Sequence, residues 1–212
     1  MDDHLRWARA LQAIAQSGLT YARDPAYAGD VFDVDRYEQV LAVATEMFAT
    51  LGGVPPATIA PLFDDQVGYA TPKLDGRGLV FDADGRVLLV RERLDGDRWT
   101  VPGGWVDVNE SPAEAVTREV LEETGYEVVA ERVLALWDRD RHDHPPGPFH
   151  CWKVMVGCRI VGGAPQASIE TSEPRFWSVD DLPELSRARI TAAQLQRLRA
   201  LHLDRGAPTA FD

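Results

Sequence analysis

The hydrophobic pattern of this chain changes period once, near Asp64-Asp65-Gln66-Val67-Gly68, and that change constrains what it can fold into. Before it, over residues 1–66, apolar residues recur at helical spacing. Leu5, Ala8, Leu11, Ile14 and Ala15 form one stripe, with Ser17-Gly18 as the expected stop. Tyr37, Val40, Leu41, Ala44, Phe48 and Leu51 form a second. Asp35 is its expected cap, Glu38 reaches back in capping-box fashion, and Gly52-Gly53 ends it. Asp24, Asp30, Asp33 and Asp35 then fall in the connecting loop as turn and cap residues. Two helices with broad apolar faces cannot bury them alone. They must pack on each other, on the rest of the chain, or on a second copy.

After the change, over 67–212, the apolar runs are short and extended. Gly78 to Phe81 and Arg86 to Val90 flank Asp82-Ala83-Asp84-Gly85, a hairpin signal. Trp99 to Val101 precedes the breaker Pro102-Gly103-Gly104. β-Rich stretches follow at 127–138 and 149–161, then a last strand at Arg175 to Val179 and a closing amphipathic helix over 189–203. Strands interrupted by helices predict a sheet covered by helices, α/β or α+β.

No apolar run approaches the roughly 20 residues of a membrane span, and Met1-Asp2-Asp3-His4 opens acidic, unlike a signal peptide. Cys151 and Cys158 lie at an odd spacing that puts them on opposite faces of a strand. No disulfide is expected, which fits a reducing cytoplasmic setting. A net charge of −12 argues against a nucleic-acid scaffold. It still permits a polyanionic small substrate if a metal supplies local positive charge.

One helix stands out. Ser111-Pro112-Ala113-Glu114 is a strong start and Gly125 a strong end, predicting a helix over Pro112 to Thr124. Within it Glu119, Glu122 and Glu123 fall inside an arc of about 100°. Ala113, Val116 and Val120 point to a neighbouring side that can pack on the sheet. Such a glutamate trio is usually a solvated face. Like charges this close nevertheless raise each other's pKa unless a cation neutralises them. Hard divalent ions such as Mg²⁺ take oxygen ligands and share them with substrate phosphates.

The residues Gly104, Glu110, Arg118-Glu119-Val120, Glu122-Glu123 and Gly125 follow the spacing G-x5-E-x7-R-E-U-x-E-E-x-G-U. This resembles the signature of the Nudix hydrolases at every fixed position. Only the last aliphatic slot departs, holding Tyr126. The resemblance implies a Nudix α/β/α sandwich with a mixed sheet over 67–212, an α+β fold preceded by a small helical domain over 1–66. It implies Glu119, Glu122 and Glu123 as metal ligands and catalytic groups, with the Gly104 carbonyl adding a ligand and Mg²⁺ (or Mn²⁺) as the ion. Glu110 and Arg118 would pair to fix the loop against the helix, with Gly125 closing it.

The resemblance extends to Tyr69-Ala70-Thr71-Pro72-Lys73-Leu74-Asp75, Trp99 to Trp105, Asp138 to His142, Pro145 to His150 and the helical first part. These look like the subgroup that hydrolyses nucleoside diphosphates linked to another moiety, ADP-ribose and CDP-choline being the usual candidates. Small Nudix enzymes often share a site across subunits, so a homodimer is expected. Nudix enzymes also often place a glutamate that binds metal or acts as base in the loop Ile169 to Glu173. Glu170 and Glu173 both qualify, and Glu173 is the one assigned.

From the residues themselves, Arg139 and Arg141 suit a phosphate, His142, His144 and His150 offer hydrogen bonds, and Arg77 is a further phosphate candidate. Trp105, Trp137 and Phe149 are candidates to stack a base, although strand aromatics are more often core. Two other functions fit less well: a Nudix-derived nucleotide sensor that does not cleave, or an RNA-directed enzyme. The retained glutamates oppose the first and the acidic charge opposes the second.

Overall fold

Residues 2–27 and 30–212 are described here from a computed structural model. The chain forms two compact units, 1–72 with 146–150, and 73–145 with 151–212. No single helix among the described residues is long and apolar enough to cross a membrane.

The first unit is helical: α1 (Asp3–Arg23), α2 (Val31–Gly52) and the short turns α3 (Pro56–Ile59) and α4 (Pro61–Asp64). α1 does not stop at Ser17-Gly18. A Cβ on Gly18 would lie 2.4 Å from the Tyr37 ring, so the glycine is the place where α2 leans on α1. α2 starts earlier than Asp35, because Asp30 accepts from the Phe32 N–H at 3.0 Å and is the cap. Asp33 and Asp35 therefore lie inside the helix, and Glu38 pairs with Arg23 at 2.6 Å instead of boxing the cap. The end is as expected, with Gly53 left-handed at φ 63°. Leu5, Ala8, Phe48 and Phe63 are the core, joined by Leu41, Met47, Ile59 and Phe149.

The second unit runs β1 (Lys73–Val80), β2 (Val87–Glu92), β3 (Arg98–Thr100), β4 (Gly103–Trp105), α5 (Pro112–Thr124), β5 (Tyr126–Asp138), β6 (Cys151–Gly163), β7 (Thr171–Trp177), α6 (Ala192–Leu203) and β8 (Ala210–Phe211). A mixed sheet has the order β4-β1-β6-β5-β8 and an antiparallel one the order β3-β2-β7. The expected turn at Asp82 forms, its carboxylate accepting the Asp84 and Arg86 N–H groups at 3.0 and 2.9 Å. The strands it joins do not stay paired. After a single Phe81–Val87 bridge, β1 goes to β4 and, in parallel, β6, while β2 goes to β3 and β7.

Side-chain alternation sorts the core into two layers. Leu79, Val87, Leu89 and Met155 meet Leu195, Leu198 and Leu201 of α6. Val80, Leu88, Val154 and Val156 meet Val116 and Val120 of α5. The two helices thus cover opposite faces, giving the α+β sandwich with a helical unit ahead of it. Ala115, and not Ala113, joins the buried side of α5. Glycines on β1 let α5 sit close: a Cβ on Gly78 would be 2.4 Å from Val120 Cγ2, and one on Gly76 would be 3.0 Å from Val116 Cγ2. A β-branched residue at Gly76 would have pushed the helix away.

Candidate active site

α5 is fixed at both ends by local chemistry. The Ser111 hydroxyl accepts from the Glu114 N–H at 3.3 Å, and Glu114 accepts from the Ser111 N–H at 2.8 Å. At the other end Gly125 is left-handed at φ 73° and its N–H reaches the Leu121 carbonyl at 2.9 Å. Between these ends the helix delivers three glutamates into three environments. Glu122 is exposed, Glu119 is half-buried, and Glu123 is buried.

Arg118 organises them. It grips Glu110 bidentately at 2.8 and 2.9 Å and reaches Glu119 at 3.0 Å and Glu122 at 3.1 Å with its remaining nitrogen. The pairing holds the Glu110 carboxyl below its ordinary range. It also ties the loop 106–110 to the helix. Glu123 instead accepts the Gly103 N–H at 2.9 Å. Burial pushes its carboxyl up to about 7, against the opposing pull of Arg77 and that N–H. Burial also raises Glu119, and Arg118 restrains it.

Gly103 and Gly104 are required by close approach. Gly103 sits at φ 138°, and a Cβ there would be 2.1 Å from the Gly76 carbonyl oxygen. A Cβ on Gly104 would be 2.9 Å from Glu119 Oε1, so its backbone lies directly beside that carboxylate. A cleft of about 560 Å³ runs along the face, lined on one side by Arg118, Glu119, Glu122 and Glu123. Ser168, Ile169 and Glu170 line the other side. Every donor oxygen here is hard, which suits Mg²⁺ or Mn²⁺ and not a soft thiophilic metal.

Glu170, and not Glu173, belongs to this cleft. β7 begins at Thr171, earlier than the pattern suggests, so Glu173 is a strand residue. The β2–β7 register slips between Leu89–Arg175 and Arg91–Ser172, leaving Glu173 and Pro174 in a bulge. There Glu173 adopts φ 54°, is exposed, and lies 3.9 Å from Arg175.

The other assigned substrate contacts also lie outside the cleft lining. Arg77 is buried in β1, between β4 and β6, 2.7 Å from Asp75, which also bonds the fully buried Lys153 of β6. Arg139 donates to the Pro145 carbonyl at 2.7 Å, and exposed Arg141 lies 3.8 Å from Asp138. His142 meets Asp212 at 3.2 Å and stacks near Trp137, which is core. Phe149 packs edge-on against Phe63, 6.0 Å between centroids, within the helical core. Trp105 alone of the three aromatics is exposed.

The family follows from comparison with known proteins: the chain belongs to the Nudix hydrolases. Residues 76–198 match the NUDIX domain, and residues 2–63 match the domain described as UDP-X-like, N-terminal oligomerisation domain. A Bacillus subtilis (strain 168) relative named "Putative ADP-ribose pyrophosphatase YjhB" is 39% identical over 92% of this chain and 89% of its own. A crystal structure of an ADP-ribose pyrophosphatase from Streptococcus suis is 39% identical with a TM-score of 0.61, covering 67% of this chain and all of that one. A crystal structure of a UDP-X diphosphatase is 30% identical with a TM-score of 0.63, covering 99% of this chain and 98% of that one.

Proposed function

We propose that the protein hydrolyses the pyrophosphate bond of a nucleoside diphosphate linked to another moiety, of the ADP-ribose or CDP-choline type, with Mg²⁺ (or Mn²⁺). The products are a nucleoside monophosphate and a phosphorylated partner group. The observation that carries this reading is the cleft in which Glu119, Glu122 and Glu123 face Glu170. The names of the relatives support the substrate class.

Glu119, Glu122, Glu123 and the Gly104 carbonyl would hold the metal. When bound, such ions supply positive charge against the diphosphate and make water a better nucleophile at neutral pH. Arg118 bridges and orients Glu119 and Glu122, and the Gly103 N–H orients Glu123. Glu170, across the cleft, takes the proton as a water oxygen attacks phosphorus. The P–O bond to the bridging oxygen breaks, and that oxygen leaves with the bonding pair as part of a phosphate.

A panel of ADP-ribose, CDP-choline, NADH, diadenosine polyphosphates and oxidised nucleoside triphosphates, assayed with Mg²⁺ and with Mn²⁺, tests the assignment. Turnover confined to X-linked nucleoside diphosphates is expected. Glu122→Gln and Glu123→Gln should each lower kcat by about two orders of magnitude or more while the circular dichroism spectrum is kept. Wild-type rates in both variants would refute the site. We also propose a homodimer, supported by the oligomerisation domain that residues 2–63 match. Light scattering after gel filtration should give twice the 23.5 kDa chain mass.

A further inference from the structure

Glu170 approaches the cleft from a loop, and a reacting group on a loop is only as well placed as what holds the loop. The segment 164–171 is tied to the C-terminal end of α5 at three points. The Gln166 N–H donates to the Thr124 carbonyl at 2.8 Å, and the Ala164 N–H to the Gly125 carbonyl at 3.2 Å. The third tie is the Thr171 hydroxyl, which donates to the carbonyl of Glu123 at 2.8 Å. That carbonyl lies in the last helical turn, where carbonyls have no intrahelical partner. Thr171 is completely buried.

Ser168 completes the arrangement. Its Oγ accepts the N–H of Glu170 at 3.1 Å and that of Thr171 at 2.9 Å, and lies 3.0 Å from Thr171 Oγ1. Each hydroxyl has one proton to give. Thr171 spends its proton on Glu123, so Ser168 must donate to Thr171, and the chain of hydroxyls has one direction. Glu170 is fixed on both sides of its Cα. Its N–H goes to Ser168, and its carbonyl accepts from the Arg93 N–H at 3.1 Å.

We propose that Ser168 and Thr171 are positioning residues, a hydroxyl relay that sets the Glu170 carboxylate against the backbone of Glu123 across the cleft. This rests on the role given to Glu170 above. A turn serving only the surface needs no buried hydroxyl bonded to the catalytic helix. Here the same two side chains hold the backbone of one carboxylate and accept from the backbone of the other.

The test is a double-mutant cycle on the panel compound cleaved fastest. Ser168→Ala and Thr171→Val should each lower kcat roughly tenfold to a hundredfold with KM within about twofold, and Thr171→Ser should restore most of the rate. In a Glu170→Gln background neither change should lower kcat further. Amide hydrogen exchange should quicken in 166–171 and stay unchanged in α5. Ser168→Ala removes an oxygen from a half-exposed side chain, so it reports even where Thr171→Val fails to fold. Losses that add in the Glu170→Gln background would overturn the relay and leave Glu170 standing. So would unchanged kcat in Ser168→Ala when Glu170→Gln is slow. A Glu170→Gln variant at wild-type rate would overturn the role of Glu170, and the relay with it.

Discussion

At Glu123 the requirements of folding and of the proposed metal binding oppose each other. Burial favours the neutral acid and pushes its pKa up to about 7, whereas a cation needs the carboxylate. The sign for stability follows from the direction of the shift. The folded-state pKa lies above the ordinary 4.5, so ionisation costs the metal-free fold stability that is intact below 4.5 and lost as pH rises through 7. Glu123→Gln, neutral at every pH, should therefore be more stable than the wild type at pH 8 by on the order of 1–3 kcal/mol. The difference should vanish near pH 4.5. Urea unfolding in EDTA reads this directly. The same proton competes with the ion, so calorimetric Mg²⁺ affinity should fall by about tenfold between pH 8 and pH 6.

The residues of the α5 constellation were legible in the sequence because their spacing is local and a helix converts spacing into direction. Glu170 and Glu173 were not separable, because the bulge that turns Glu173 aside arises from the pairing of β7 with β2, far away in the chain. Arg77 misled for a similar reason. Its burial depends on Asp75 beside it and on Lys153, which only the β1–β6 register brings opposite.

Among elements, the seat of α5 on β1 sets where the carboxylates stand. Gly78→Ala would place a methyl 2.4 Å from Val120 Cγ2, so helix and strand must part. A loss of ~1–3 kcal/mol in urea unfolding and a reduced kcat are expected. Gly52→Ala, whose Cβ would meet only Val54 at 3.5 Å, is the tolerated control. Helix ends set by residues next to the break, the Ser111 side chain and the left-handed backbone of Gly125, read correctly from sequence. Gly18 did not, because Tyr37 of another helix packs against it and tertiary packing outweighs the ~1 kcal/mol cost of glycine in a helix. α6 ends at Leu203 as its pattern predicts, and its last carbonyls are met from a distance by Arg132 of β5, which bonds those of Leu201 and Asp204.

Taken whole, the molecule carries a charge of −12 and is proposed to take up a polyanion. Long-range repulsion should slow encounter at low ionic strength, where the screening length is about 30 Å, and fade at 0.15 M, where it is about 8 Å. At saturating Mg²⁺, kcat/KM should rise about twofold or more over that range. An RNA-directed enzyme would show the reverse, with binding lost steeply as salt increases. The change of hydrophobic period was enough to separate a helical part from a strand-rich one. It did not reveal that 146–150 returns to the helical unit, which Phe149 joins through Phe63 and Arg9 through the Gly147 carbonyl at 2.6 Å.

The parallel pairing of β1 with β6 has a consequence in time. The bond from Lys153 to Asp75 joins residues 78 apart in sequence, so its entropy of loop closure falls due before any contact repays it. Because β1 also carries the glycines on which α5 rests, the cleft has no floor until that late zipping is done. On refolding from urea, helical signal should return first, the burial of β6 later, and catalytic turnover last.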